Sequence, residues 1–323
     1  MSLPSLTAPP TLAEIRDCHA AIQPFIHRTP VLTCRALDER AGARLYFKCE
    51  NFQRIGAFKM RGGASAALSL TPAERARGLA THSSGNHAQA VAAAARELGV
   101  PAYIVMPEDA PAVKIAAVRD YGAEVTFCVN TPADRERTLR QVTDRSGAAF
   151  IHPFDDYNVI RGQATAALEL VEDCPVTLDV LMTPVGGGGL TAGTALVRHY
   201  LLPGGQTIGA EPKNVDDAAR SMQSGRVETN QDNRTVADGL RTNLSERTLG
   251  IIREHVAEIL TVSEEEIVAA MRLIWERMKI VIEPSCAVPL AAVLAYPDRF
   301  AGKNVGIILT GGNVDLARLP FRT

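Results

Sequence analysis

The chain has 323 residues, 46% hydrophobic and 22% charged, with a formal net charge of -2, which allows one large or two medium domains with a sizeable core. That charge leaves no basic footprint for nucleic acid. The apolar stretches are broken by Pro or Gly before they reach membrane-spanning length, and Met1-Ser2-Leu3-Pro4 lacks the basic and apolar regions of a secretory leader. Six scattered cysteines (Cys18, Cys34, Cys49, Cys128, Cys174, Cys286) form no CxxC pair. They read as reduced, mostly buried thiols, and a cytoplasmic location is expected.

In chain order, Thr11-Leu12-Ala13-Glu14 fits a capping box, and Thr71-Pro72-Ala73-Glu74 fits another with proline at the first helical position. The polar run Thr81-His82-Ser83-Ser84-Gly85-Asn86-His87 leads into an alanine-rich helical stretch from Ala88 to Leu98. Short apolar runs at 102–106, 124–129, 180–184, 207–210 and 305–310 predict buried strands. Thr131-Pro132-Ala133-Asp134 starts a helix, and a helix-like run spans Leu190 to Tyr200. Ser263 opens another, with Ile267, Ala270, Met271, Ile274 and Met278 on one apolar face. Strand and helix alternate, so the fold class is α/β with parallel sheets covered on both faces. The alternation permits two such domains with a ligand cleft between them. No repeat, low-complexity tract or long linker marks a boundary.

Five places carry chemistry. Lys59, in Gly56-Ala57-Phe58-Lys59-Met60-Arg61-Gly62-Gly63, is a candidate nucleophile, because a lysine amine condenses with an aldehyde such as pyridoxal phosphate. Its aromatic and glycine neighbours suggest close approach to a flat group; a solvated lysine is the alternative. The Ser83–His87 loop ahead of a helix suits an anion, unless Ser84 or Asn86 merely caps that helix. Gly186, Gly187, Gly188 and Gly189 after a strand let backbone amides curl around a phosphate. Gly187, Gly189 and Ala192, with Glu211 about twenty residues on, also fit a relaxed dinucleotide pattern, which keeps an NAD-dependent dehydrogenase open. The carboxylates of Glu211-Pro212-Lys213-Asn214-Val215-Asp216-Asp217 either hold a hard cation or are a solvated loop. Thr310, before Gly311-Gly312-Asn313, sits where a strand end meets ligand in α/β folds.

These runs, from His27-Arg28-Thr29-Pro30-Val31-Leu32 to Gly311-Gly312-Asn313-Val314-Asp315, resemble the serine/threonine dehydratase and serine racemase family, pyridoxal phosphate enzymes of fold type II. The likeness covers nearly the whole chain and implies a small domain at 53–155 inserted into a large one formed by 1–52 and 156–323, and a homodimer. It further implies that Lys59 binds the cofactor and acts as acid and base. Phe58 would pack on its ring, Asn86 bond the ring hydroxyl, the four glycines cradle the phosphate and Thr310 face the pyridine nitrogen. Glu211, Asp217 and the Val215 carbonyl match the family's divalent-cation site, usually magnesium. Ser83, Ser84 and His87 would surround the substrate carboxylate.

Two residues speak to substrate. A serine at position 84 resembles the racemases and hydroxyaspartate-cleaving relatives, and supplies a second base. Arg135, placed at a helix start where the dipole disfavours a cation, invites an anion: a substrate's distal carboxylate, or Asp134 or Glu136. The hydroxyaspartate and racemase branch has arginine at this place. The chain departs from the family pattern at Arg161, a cation that either helps bind a diacid or forms a structural ion pair, and at Cys286, which narrows the pocket or packs in the core. The expectation is a pyridoxal phosphate ammonia-lyase acting on 3-hydroxyaspartate, then threonine or serine. Serine racemase is the alternative within the family; outside it stand the dehydrogenase and a non-catalytic ligand-binding relative.

Overall fold

The structure of the chain, a computed structural model, describes residues 2–110 and 112–321. They group into two units, one of residues up to His27 with Lys59–Gly162, the other of Arg28–Phe58 with the chain from Gln163 onward.

The first unit holds a four-stranded, wholly parallel sheet in the order Glu124–Cys128, Ala102–Pro107, Leu79–His82, Ala149–Phe150. Helices Asn86–Leu98, Ala112–Asp120 and Pro132–Ser146 provide the crossovers that parallel strands require. The alanine-rich helix packs against the helix Lys59–Ser69 at close range: a Cβ on Gly63 would lie 3.2 Å from that of Ala90. A Cβ on Gly162 would lie 2.3 Å from the Arg61 carbonyl and 2.7 Å from Gly62 Cα. The glycines after Lys59 therefore serve close helix packing.

Both predicted capping boxes of this unit form, at Thr11 with Glu14 and at Thr71 with Glu74. The N-terminal segment belongs here as well. Leu3 N–H donates to Leu68 O at 2.8 Å and Leu6 N–H to Asn158 Oδ1 at 2.9 Å, while Pro4 O accepts from Arg161 Nη1 at 3.0 Å. These ties group the residues up to His27 with Lys59–Gly162, a division that differs from the expected 53–155 insertion.

The second unit is built on a six-stranded sheet, Val31–Leu32, Arg44–Cys49, Asn304–Leu309, Val180–Pro184, Gln206–Pro212 and Glu258–Val262 in spatial order. The first pair is antiparallel and the rest parallel. Helices Glu264–Met278 and Pro284–Ala295 cover it. The Ser263 capping box forms, and Ile267, Ala270, Met271 and Ile274 are buried, with Met278 at the core's edge. Beneath Thr29 lies an ion pair that sequence did not announce: Lys48 Nζ meets Glu169 Oε2 at 2.7 Å with both side chains 0% exposed. The ammonium also donates to Thr29 O at 2.6 Å, which helps satisfy its donors away from water.

Among the described residues no helix is long and apolar enough to cross a membrane. All six cysteines are free, four of them buried.

Candidate active site

Lys59 is the first residue of its helix and is largely withdrawn from solvent. Burial lowers its amine to about 8, so a sizeable neutral fraction exists near neutral pH. Nζ donates to the carbonyl of Pro153 at 2.8 Å. That carbonyl is presented by a turn closed on itself, in which His152 Nδ1 accepts from Asp155 N at 2.7 Å and Phe154 N at 3.3 Å. Pro153's part carries no sequence signal, since any residue supplies a carbonyl.

The strand Leu79–His82 runs into Ser83, Ser84 and Gly85 before the helix Asn86–Leu98. Gly85, not Ser84 or Asn86, is the N-cap, and no side chain closes this helix end. Its first N–H groups and the dipole are thus presented to an anion in the manner a carboxylate needs. Ser83 Oγ accepts from Gly85 N at 3.3 Å, which tightens the loop. His87 is buried, and burial, with the Lys59 charge adding to it, pushes its imidazole down to about 3. The neutral ring donates Nε2–H to Ile151 O at 3.0 Å, leaving Nδ1 a buried acceptor without a partner among the described residues. His87 therefore offers an incoming ligand a lone pair rather than a positive charge.

Arg135 takes neither of the two carboxylates weighed for it. Asp134 is engaged by Thr131 Oγ1 and by Arg137. Arg135 Nη2 instead donates to the amide oxygen of Asn130, and its Nε is buried with no partner among the described residues. The guanidinium lies close enough to His82 to help lower that imidazole, after burial. Arg161 corrects both readings made of it. It is 1% exposed, forms no ion pair among the described residues, and is spent on Ser69 Oγ at 2.7 Å and Pro4 O at 3.0 Å.

In the second unit the strand Val180–Pro184 leads through Val185 into the four glycines and the helix Gly189–Leu201. Gly188 is a left-handed N-cap at φ 83°, with no side-chain cap. A Cβ there would meet Leu244 Cδ2 at 2.7 Å, so with its positive φ this position favours glycine, while one on Gly186 would sit tightly at 3.1 Å from Gly239 O. The result is a second open helix N-terminus framed by bare backbone.

Thr310 follows the strand Asn304–Leu309 and is 3% exposed, yet its hydroxyl has no oxygen or nitrogen partner among the described residues. Its carbonyl accepts from Phe58 N at 3.0 Å, and Ala57 bridges Gly311. The segment that precedes Lys59 is thus fastened to the segment that carries Thr310. Asn313, which the sequence reading passed over, holds the join: Nδ2 donates to Ile55 O at 2.7 Å, where Ile55 and Gly56 are both left-handed. Cys286 packs in the core beside Thr310, and burial raises its thiol.

Glu211 and Asp217 are buried, and burial raises their carboxyls to about 9 and about 6. Glu211 accepts from Ala219 N at 2.7 Å and Ala218 N at 3.3 Å; Asp217 accepts from Leu244 N at 3.3 Å and from Asn230 Nδ2. Val215 is buried between them in sequence. Among the described residues no cluster of three or more His, Cys, Asp or Glu side chains could hold a metal, so a cation here would rest on two carboxylates, a carbonyl and water.

The first unit offers a lysine of lowered basicity and a glycine-capped helix end. The second offers a glycine-capped helix end and a threonine hydroxyl without an oxygen or nitrogen partner among the described residues. Each is a feature that a lysine-linked phosphorylated cofactor would use. Known proteins place the chain further. The family model for pyridoxal-phosphate dependent enzymes matches residues 22–311. A beta-hydroxyaspartate dehydratase from Paracoccus denitrificans is 48% identical over 97% of this chain and 99% of its own. An L-threo-3-hydroxyaspartate ammonia-lyase from Saccharomyces cerevisiae is 47% identical over 96% of this chain and 95% of its own. The crystal structure of serine racemase from Dictyostelium discoideum superposes with a TM-score of 0.90 at 48% identity, covering 95% of this chain and 99% of that one. The chain belongs to the family of pyridoxal-phosphate dependent enzymes, in its fold type II architecture.

Taken one by one the residues suit the cofactor: Thr310 has a buried hydroxyl without an oxygen or nitrogen partner among the described residues, Gly186 and Gly188 present backbone where a side chain would be crowded, and burial readies Lys59 to lose its proton. The dinucleotide reading falls with the family assignment. Glu211, which would have had to meet a ribose, is already engaged by two backbone N–H groups.

Proposed function

We propose that the protein is an ammonia-lyase that eliminates water from a β-hydroxy amino acid, with 3-hydroxyaspartate as its preferred substrate. The single observation that carries the substrate is Arg135, a cation without an ion-pair partner among the described residues, in the same unit as Lys59 and the serine loop. The names of the Paracoccus and Saccharomyces relatives support the same choice. When bound, pyridoxal phosphate supplies an aldehyde to hold the substrate amine and a ring that draws electrons from Cα.

The chain does the rest. Lys59 Nζ takes the α-proton, its lowered basicity placing it near the working pH. Ser84 is the base on the opposite side, and it brings serine racemisation within reach as a second reading, as the Dictyostelium relative's name suggests. Ser83, Ser84 and the open N–H groups at Asn86 hold the α-carboxylate, with His87 accepting a proton-bearing neighbour. Arg135 holds the distal carboxylate with paired N–H donors. Gly186, Gly187, Gly188 and Gly189 hold the phosphate, Asn86 the ring oxygen, Thr310 the ring nitrogen, and Phe58 packs on the ring. The α-proton and β-hydroxyl leave together as water, and the product, an imine of oxaloacetate, takes up water to release ammonia. Glu211, Asp217 and the Val215 carbonyl would hold magnesium, and the active form is a cytoplasmic homodimer.

Ammonia release from L-serine, L-threonine and the four 3-hydroxyaspartate stereoisomers tests this. The expected result is a strong preference for one hydroxyaspartate, lost in Arg135→Ala. Equal or better turnover of serine or threonine, unchanged by that substitution, would sink the diacid assignment.

A further inference from the structure

Arg135 stands in the first turn of the helix Pro132–Ser146, where the dipole opposes its charge and, among the described residues, no carboxylate forms an ion pair with it. What aims it is a neutral amide. Asn130 Oδ1 accepts from Arg135 Nη2, while Asn130 Nδ2 donates to Asp109 Oδ2 at 2.8 Å. The second bond settles the first: a carboxylate accepts only, so the amide must turn its nitrogen to Asp109 and its oxygen to the guanidinium.

The chain Asp109–Asn130–Arg135 sits at the carboxyl end of the sheet's strands. Asp109 follows the strand Ala102–Pro107 and Asn130 follows Glu124–Cys128; these neighbours are parallel, and Glu108 N donates to Cys128 O at 3.0 Å across their ends. In open parallel sheets this carboxyl end is where ligands gather. An aspartate at 130 would have formed an ion pair and neutralised the arginine. Asparagine fixes its direction and leaves its charge uncommitted, with Nε buried and still lacking an acceptor.

We infer that Asn130, backed by Asp109, is a positioning residue that aims Arg135 at the distal carboxylate of a four-carbon diacid and so sets preference for diacids over monoacids. This rests on the lyase reading above and adds to it a residue that never touches substrate.

The test is the kinetics of the holoenzyme on its preferred 3-hydroxyaspartate isomer and on L-serine, with succinate and acetate as inhibitors. Asn130→Ala should raise KM for hydroxyaspartate about tenfold, the worth of one well-placed charge-assisted hydrogen bond, with kcat moving far less. Succinate inhibition should weaken by a similar factor and acetate inhibition should not. Asn130→Asp should be worse than Asn130→Ala, because the new carboxylate captures Arg135. Asp109→Asn should stay within about twofold, since an amide oxygen still accepts from Asn130. If Arg135→Ala lowers the hydroxyaspartate-to-serine ratio of kcat/KM while both Asn130 variants leave it unchanged, the inference is overturned and the lyase reading stands. If Arg135→Ala leaves that ratio unchanged, the diacid reading itself fails. A fall in kcat on both substrates alike in Asn130→Ala would show a merely structural role and would also overturn the inference.

Discussion

Lys59 must shed a proton before it can attack an aldehyde, and its burial decides how often it is ready. Lowering the amine from an ordinary 10.5 to about 8 is worth about 3 kcal/mol at about 1.4 kcal/mol per pH unit. At about pH 7.5 roughly a quarter of the molecules then carry neutral Nζ, against about one in a thousand for a solvated lysine. Cofactor-free protein mixed with pyridoxal phosphate should therefore gain its visible absorbance at a rate that rises with pH and levels off just above about pH 8. N-acetyl-lysine under the same conditions should keep accelerating to about pH 10. Borohydride reduction followed by peptide mapping should place the label on Lys59. A rate still climbing at about pH 10, or a label on another lysine, would refute the reasoning.

The same burial has a consequence for folding, with the opposite sign to a stabilising ion pair. The folded state binds fewer protons than the unfolded one between about pH 8 and about 10.5, so stability of the cofactor-free protein rises over that window. Below it, the charged form is disfavoured in the fold. Lys59→Met should accordingly stabilise the cofactor-free protein at about pH 7 by up to about 3 kcal/mol, a gain that disappears by about pH 10.5, while abolishing turnover. Urea unfolding across pH reads this directly.

Thr310→Val removes a buried hydroxyl that has no oxygen or nitrogen partner, so cofactor-free stability should be unchanged or higher by about 1 kcal/mol in denaturant titration. Turnover should fall at least roughly tenfold, because the same hydroxyl is the cofactor's partner. Arg161→Ala should cost about 2–4 kcal/mol of stability by leaving a cavity and stranding Pro4 O, which calorimetry will show as a lowered Tm. Its hydroxyaspartate-to-serine ratio should not move; a shifted ratio would restore Arg161 to the substrate site. Lys48→Met should cost about 3–5 kcal/mol because it strands Glu169 in the core, and Lys48→Met with Glu169→Leu should recover most of that loss.

Features coded by a few adjacent residues were legible in the sequence. The capping boxes at Thr11, Thr71 and Ser263 need only a hydroxyl and a carboxyl three residues apart, and all three form. The strand at 180–184 and the glycines beyond it were equally readable, since an apolar run and a glycine cluster are local signals. What escaped depends on chain segments far apart. Arg161 read as a diacid-binding cation or a member of an ion pair because its acceptors, Ser69 and the carbonyl of Pro4, lie far away in sequence, the latter by 157 positions. A carbonyl carries no sequence signal, so neither the grouping of the N-terminal segment with Lys59–Gly162 nor the Pro153 bond to Lys59 was visible. Gly62 and Gly63 also serve a long-range purpose that sequence does not show: they let Gly162 and Ala90 approach closely. Asn130 was overlooked because its meaning lies in two strand ends meeting, Asp109 on one and Arg135 beyond the other.

The way the chain treats its helix ends ties fold to function. Helices beginning at Leu12, Pro72, Glu246 and Glu264 are closed by reciprocal side-chain caps from Thr11, Thr71, Ser245 and Ser263. Those side chains satisfy backbone donors that would otherwise face water. The helices Asn86–Leu98 and Gly189–Leu201 each follow a parallel strand and are headed by glycine with no side-chain cap. Glycine at an N-cap costs only a few tenths of a kcal/mol against serine or threonine. For that small loss each helix keeps its N–H groups and positive dipole end unoccupied. A cap at residue 85 or 188 would have competed with the very anions, a carboxylate in one unit and a phosphate in the other, that the proposed chemistry requires. Open ends are not confined to these two, since the helices Arg35–Ala41 and Pro284–Ala295 also begin without a side-chain cap. What sets the two apart is glycine at the cap directly after a parallel strand, where the proposed chemistry needs an anion gripped.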